Sequence, residues 1–164
     1  MGTFAVQIAK ALRAQVTGVC STRNVDMVRS IGADHVIDYL REDFAEGGPR
    51  YDLILDNVEN QSLSNCRRAL KHRGTLILNS GSGAQGLALL LRLVKPLVLS
   101  PFARQGLRRY LSVPSRRDLV FLNELVESGK LTPVIDGKYP LSETATALAH
   151  IEGGHARGKV VVTL

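Results

Sequence analysis

The residues able to do chemistry are few and scattered. Four histidines, His35, His72, His150 and His155, stand at no spacing that would let them share a metal ion, and each reads as structural or solvated. Cys20 and Cys66 form no CxxC pair and read as small buried apolar residues. Asp52 and Asp56 lie four apart on one apolar run, a placement that fits strand-end residues better than an acid/base pair. Gly2 is a lone candidate for the third glycine of a GxGxxG loop, where its role would be close helix–strand packing beside a pyrophosphate. Ser80-Gly81-Ser82-Gly83 reads as a flexible turn at the carboxyl end of a strand, the place where open α/β sheets bind ligands.

The elements that must position these groups alternate. Ala5, Ile8, Ala9 and Leu12 recur at helical spacing and predict an amphipathic first helix. Val16 to Cys20 reads as a short apolar strand. Asn24 then caps a helix that Gly32 ends, and His35 to Asp38 reads as the next strand. Asp52 to Asp56 is a further strand. Ser62 caps a helix with Leu63, Cys66 and Leu70 inward and Gly74 as its stop, and Thr75 to Asn79 is extended again. Asp118 to Ser128 predicts a helix with Leu119, Leu122, Leu125 and Val126 apolar and Gly129 as its stop. Pro133 to Tyr139 is extended. Ser142 caps a helix bearing Ala145, Leu148 and Ile151, Gly153-Gly154 ends it, and Lys159 to Thr163 closes the chain as a strand. Alternation of short apolar strands with helices predicts an α/β fold built on parallel sheet.

Length and charge bound the function. The chain has 164 residues and a formal net charge of +6. That balance permits nucleic acid, an acidic membrane surface or a phosphorylated ligand as partner and selects none of them. Leu87 to Phe102 is the most apolar stretch, but Arg92, Lys95, Pro96 and Pro101 interrupt it. A bilayer span needs about 20 apolar residues. No membrane association is expected, and the absence of a secretory signal together with the cysteine usage points to the cytoplasm. The basic stretch 92–117 offers only Phe102 and Tyr110 for stacking on bases, so nucleic-acid binding is the weakest of the readings.

Longer patterns are more specific. Gly2-Thr3-Phe4-Ala5-Val6-Gln7-Ile8-Ala9-Lys10, Ile31-Gly32-Ala33-Asp34-His35-Val36-Ile37-Asp38-Tyr39, Tyr51-Asp52-Leu53-Ile54-Leu55-Asp56-Asn57-Val58 and Gly74-Thr75-Leu76-Ile77-Leu78 follow one another in order. Leu125 to Gly129, Tyr139-Pro140-Leu141 and Ala156-Arg157-Gly158-Lys159-Val160-Val161-Val162 complete the series. Together they resemble the medium-chain dehydrogenase/reductase superfamily, of the zinc-type alcohol dehydrogenase-like kind. Within it they are closest to the quinone oxidoreductase-like, NADPH-dependent branch, which lacks zinc.

The resemblance implies a Rossmann-type doubly wound parallel sheet, truncated before its first strand, and a carboxy-terminal remnant of the catalytic domain. Residues 1–117 would be the dinucleotide-binding domain and 118–164 the segment that completes the catalytic domain. A sheet without its central first strand would leave unpaired edges, so the chain alone is expected to be unstable or prone to aggregate. Ser21, Thr22, Arg23 and Asn24 would meet the adenosine ribose. An acid there would bind the 2′-hydroxyl of NAD, whereas hydroxyls and a guanidinium suit a 2′-phosphate. Tyr39 would pack near that phosphate.

The implied cofactor is therefore NADPH rather than NADH. Asn57, Val58, Ser80 and Gly81 would line it at the strand ends, and Lys159 would face the cofactor cleft. Glu59 departs from the family's glycine. No zinc and no catalytic residue are implied for these residues. The implied reaction is hydride transfer to a small carbonyl, quinone or enone, in a homodimer. The competing readings are an inactive nucleotide-binding module and, among α/β enzymes, a methyltransferase, against which the closing Gly-Lys-Val-Val-Val segment argues.

Overall fold

The computed structural model describes residues 1–48, 50–58, 61–79, 105–109, 113–154 and 156–164. Its elements in chain order are α1 (Gly2–Ala11), β1 (Thr17–Cys20), α2 (Val25–Ser30), β2 (His35–Asp38), β3 (Tyr51–Asp56), α3 (Leu63–Ala69), β4 (Leu70–Leu78), β5 (Gly106–Arg109), α4 (Arg116–Glu127), β6 (Ile135–Pro140), α5 (Thr144–Glu152) and β7 (Lys159–Thr163). The chain forms two compact units, residues 1–41 with 114–164, and residues 42–113. Every strand pairing among the described residues is parallel. Strand–helix alternation therefore produced the α/β class that the sequence predicts.

In the first unit β1 pairs with β2, setting Cys20 opposite Asp38, and β6 pairs with β7. A side chain on Gly18 would collide with Val28, so the missing Cβ lets α2 lie close on β1. Gly32, at φ +103, ends α2 as expected. The core residues here are Val28, Ile37, Leu125, Leu131 and Ala147.

In the second unit the sheet order is β3-β4-β5. Ser62 caps α3 as expected, its hydroxyl accepting from the Asn65 N–H at 3.1 Å. Phe44, Ala45, Cys66, Ala69, Leu70 and Leu76 are buried.

Several expectations fail for local reasons. Asn24 does not cap α2, because the 3₁₀ turn Thr22–Asn24 runs straight into it. Its backbone (φ −106, ψ −5) lacks the extended geometry a capping side chain needs to reach back. Gly74 does not stop α3, which gives way to β4 at Leu70. It sits in an irregularity of the β3–β4 pairing, where a Cβ would stand 3.0 Å from the Tyr51 carbonyl oxygen. Ser142 lies inside the 3₁₀ turn Leu141–Glu143, and the Thr144 hydroxyl instead donates to the Leu141 carbonyl at 2.6 Å.

The apolar faces also run differently. Leu12 falls beyond the end of α1 and is 65% exposed, while Gln7 is the buried residue of that helix. Leu125 is the buried residue of α4, with Leu119 and Val126 exposed, and Ala147 is that of α5, with Leu148 and Ile151 exposed.

Candidate cofactor site

The carboxyl ends of β1 and β2 bring five of the expected residues together. Ser21 leaves β1 extended, and its carbonyl accepts the Asn24 N–H at 2.8 Å to close the 3₁₀ turn. The Asn24 side-chain amide donates to the Ser21 hydroxyl oxygen at 3.2 Å, while its own Oδ1 is buried with no hydrogen-bond partner. The Thr22 hydroxyl donates to the Asp38 carboxylate at 2.5 Å. The Tyr39 N–H donates to the Cys20 carbonyl at 3.1 Å, so the two strand ends are tied by backbone as well. Tyr39 itself is 49% exposed, and Arg23 is exposed on the turn.

Asp38 is the residue that sequence reasoning missed. It is buried, and its oxygens take the Thr22 hydroxyl, the Leu40 N–H at 3.1 Å and the Arg41 guanidinium at 3.4 Å. The Thr22 hydrogen bond holds its carboxyl below the usual carboxylate range against the opposing effect of burial, with Leu40 and Arg41 assisting. A usable signal was present in the sequence. A carboxylate that ends one apolar strand, with hydroxyls just past the end of another, places acceptor and donors side by side once the strands pair.

The remaining expected residues lie elsewhere. In the second unit the Asn57 side-chain oxygen accepts from the Asn79 amide at 2.8 Å, and the Asn79 N–H donates to the Asp56 carbonyl at 2.9 Å. Val58 is exposed, with its N–H on the Asp56 carboxylate at 3.0 Å. Asn79 was not anticipated. Ser80 and Gly81 lie outside the described residues, as do Glu59 and most of the basic stretch 92–117. In the first unit, Lys159 begins β7 with its ammonium 5.1 Å from the Phe4 ring centroid, at the start of α1. Gly2 opens α1, and an added Cβ there would meet nothing within 4 Å. The tight helix–strand packing expected of Gly2 has no partner among the described residues.

Neither cysteine is an activated nucleophile. Burial, then Asp38, raises the Cys20 thiol, and burial, with Asp56, pushes Cys66 up to about 11. Cys66 is buried as expected, whereas Cys20 is half-buried. His35 meets the Gln15 amide at 3.3 Å, and His150 meets the Asp136 carboxylate at 2.7 Å. His155 lies outside the described residues. Among the described residues no group of three metal-ligating side chains could hold a metal ion, and no helix is long and apolar enough to cross a membrane.

A parallel strand delivers a turn with a hydroxyl and a guanidinium, and the adjacent carboxylate is engaged inward. Residues 31–162 match the zinc-binding dehydrogenase family. The chain belongs to that family. It is a member of the medium-chain dehydrogenase/reductase superfamily, on the quinone oxidoreductase-like side.

The chain is 34% identical over 167 residues to the chloroplast envelope quinone oxidoreductase homolog of Arabidopsis thaliana, an alignment covering 99% of this chain and 49% of the relative. It is 34% identical to the mitochondrial NAD(P)H oxidoreductase RTN4IP1 of Drosophila melanogaster, covering 100% of this chain and 43% of that protein. The quinone oxidoreductase of Coxiella burnetii superposes with a TM-score of 0.76 at 27% identity, covering 99% of this chain and 49% of that one. The chain thus spans about half the length of the relatives it matches.

Proposed function

We propose that this chain is the cofactor-binding portion of an NADPH-dependent oxidoreductase, with NADH the poorer cofactor and no zinc held by these residues. The observation that carries the reading is the engagement of Asp38. A carboxylate that selects NAD needs lone pairs free for the ribose hydroxyls; none stands among Ser21–Asn24, and the neighbouring Asp38 accepts from Thr22 and Leu40 and pairs with Arg41 at 3.4 Å. The Ser21 hydroxyl and the Arg23 guanidinium then suit a 2′-phosphate, since charge-assisted bonds to phosphate are strong. The committed proton of Thr22 narrows the original expectation that both hydroxyls contact the phosphate. Asn24 supports the turn, Tyr39 flanks it, and Asn57, Val58, Ser80 and Gly81 are assigned to the rest of the cofactor.

When bound, the reduced nicotinamide supplies a hydride. The residues of this chain bind the dinucleotide and orient it. Residues 1–117 are assigned to the cofactor side and 118–164 to the catalytic side of a Rossmann-type enzyme, with Gly2 beside the diphosphate and Lys159 facing the cofactor cleft. The relatives named as quinone oxidoreductases support a quinone, enone or carbonyl acceptor for the whole protein. A homodimer is proposed as its assembly. The cytoplasm is proposed as its compartment, although the relatives carry chloroplast and mitochondrial names.

Titration of the purified chain with NADPH and with NADH tests this, following nicotinamide fluorescence with circular dichroism on the same sample. Saturable binding that favours NADPH is expected. A folded sample that binds NADH as tightly, or binds neither, contradicts it.

A further inference from the structure

The Thr22–Asp38 hydrogen bond does more than close a turn. A hydroxyl has one proton, and that of Thr22 points to Asp38 at 2.5 Å. Thr22 therefore cannot donate to a ligand while Asp38 is ionised. The same bond, with Tyr39 N–H on the Cys20 carbonyl, fixes where the 21–24 turn stands relative to β2. It also joins the turn to a buried carboxylate that pairs with Arg41 at 3.4 Å.

We propose that Asp38 is a positioning residue for nucleotide choice, taking the Thr22 proton and so restricting 2′-phosphate recognition at this turn to Ser21, Arg23 and Tyr39. The inference rests on the cofactor reading above. It makes the preference for NADPH a balance. Asp38 orders the turn, yet it withholds one donor from the phosphate and joins a like charge to the turn.

Two substitutions move that balance in opposite directions. In D38N the retained oxygen can keep the Leu40 N–H, which turns the new NH₂ toward the Thr22 oxygen. Thr22 then accepts, its proton is released outward, and the charge is gone. In T22V the carboxylate loses its main donor. T22S preserves the donor.

The test is the ratio of the NADH to the NADPH dissociation constant for the wild-type chain and these three variants, each checked for folding by circular dichroism. D38N is expected to raise the ratio threefold or more, T22V to lower it threefold or more, and T22S to leave it within twofold. A merely structural role would weaken both nucleotides alike and leave the ratio unmoved. Ratios that stay within twofold, or that move the same way in D38N and T22V, overturn the inference alone. Should D38N fail to fold, T22V against T22S decides it by the same criterion. A folded wild-type chain that binds neither nucleotide overturns the NADPH reading and this inference with it.

Discussion

The two units differ in what they bury. In residues 42–113 Leu70, Leu76 and Cys66 are the largest fully buried side chains among the described residues, and Ala69 is wholly inaccessible. Residues 1–41 with 114–164 bury the polar residues Gln7 and Asp38 beside a core of Val28, Ile37, Leu125, Leu131 and Ala147. The Gln7 amide donates to the Thr132 carbonyl at 3.0 Å and accepts the Thr132 N–H at 2.8 Å, a two-way clamp across 125 residues of chain. Lys10 holds Asp34 at 2.7 Å, and Asp34 also accepts the Val16 N–H at 2.7 Å. Asp136 holds His150 at 2.7 Å. Apolar burial is non-directional and tolerates small shifts, whereas these clamps fix register. The unit with the clamps is also the one that carries the 21–24 turn, where geometry matters most.

The sharpest way to break the comparison is to empty the apolar unit. Leu76→Ala leaves a cavity where nothing polar can compensate and should cost about 2–5 kcal/mol, read as a lower urea midpoint. A loss below about 1 kcal/mol would mean the unit is not held by that burial. Gln7→Ala should cost less, about 0.5–1.5 kcal/mol, because it removes the hydrogen bonds to the Thr132 backbone, whose freed groups can reach water. Amide exchange at Thr132 should quicken in that variant, and unchanged exchange there would remove the clamp from the account.

Acid separates the units further. Asp34, Asp38 and Asp136, all in the clamped unit, are held below the ordinary carboxylate value of 3.8, chiefly by hydrogen bonds from Lys10, Thr22 and His150 respectively. A folded-state value below the unfolded one adds stability above the unfolded value. That stability is lost as pH falls through the folded one. Hydrogen exchange followed from pH 5 downward should therefore show amides of residues 1–41 and 114–164 losing protection before those of 42–113, and the reverse order would contradict it. The smallest effect is expected at the surface. Lys71 pairs with Asp52 at 2.8 Å with both side chains largely exposed, so Lys71→Ala should change stability by no more than about 1 kcal/mol in a thermal melt.

The same contrast explains what the sequence disclosed. Strands and helices follow from local periodicity, so β2, the Ser62 cap and the Gly32 stop were legible residue by residue. Gln7 carried no local signal, because its partner is 125 residues away and is backbone. Asn24 looked like a cap because residue type does not reveal that a 3₁₀ turn precedes the helix. Ser21 to Asn24 stood out as a cluster of hydroxyls and a guanidinium after a strand, and the structure closes it as a 3₁₀ turn. Asp38 went unread although it ends an apolar strand, because its bond to Thr22 forms only when β1 and β2 pair and set Cys20 against it.

The central claim is that the 21–24 turn and the residues after β2 read the phosphate of NADPH. Amide hydrogen exchange of the chain with and without saturating NADPH tests it most directly. Slowed exchange at residues 21–24 and 39–40, larger with NADPH than with NADH, is the predicted result. Protection elsewhere with those amides unchanged, or equal protection by NADH, would contradict it.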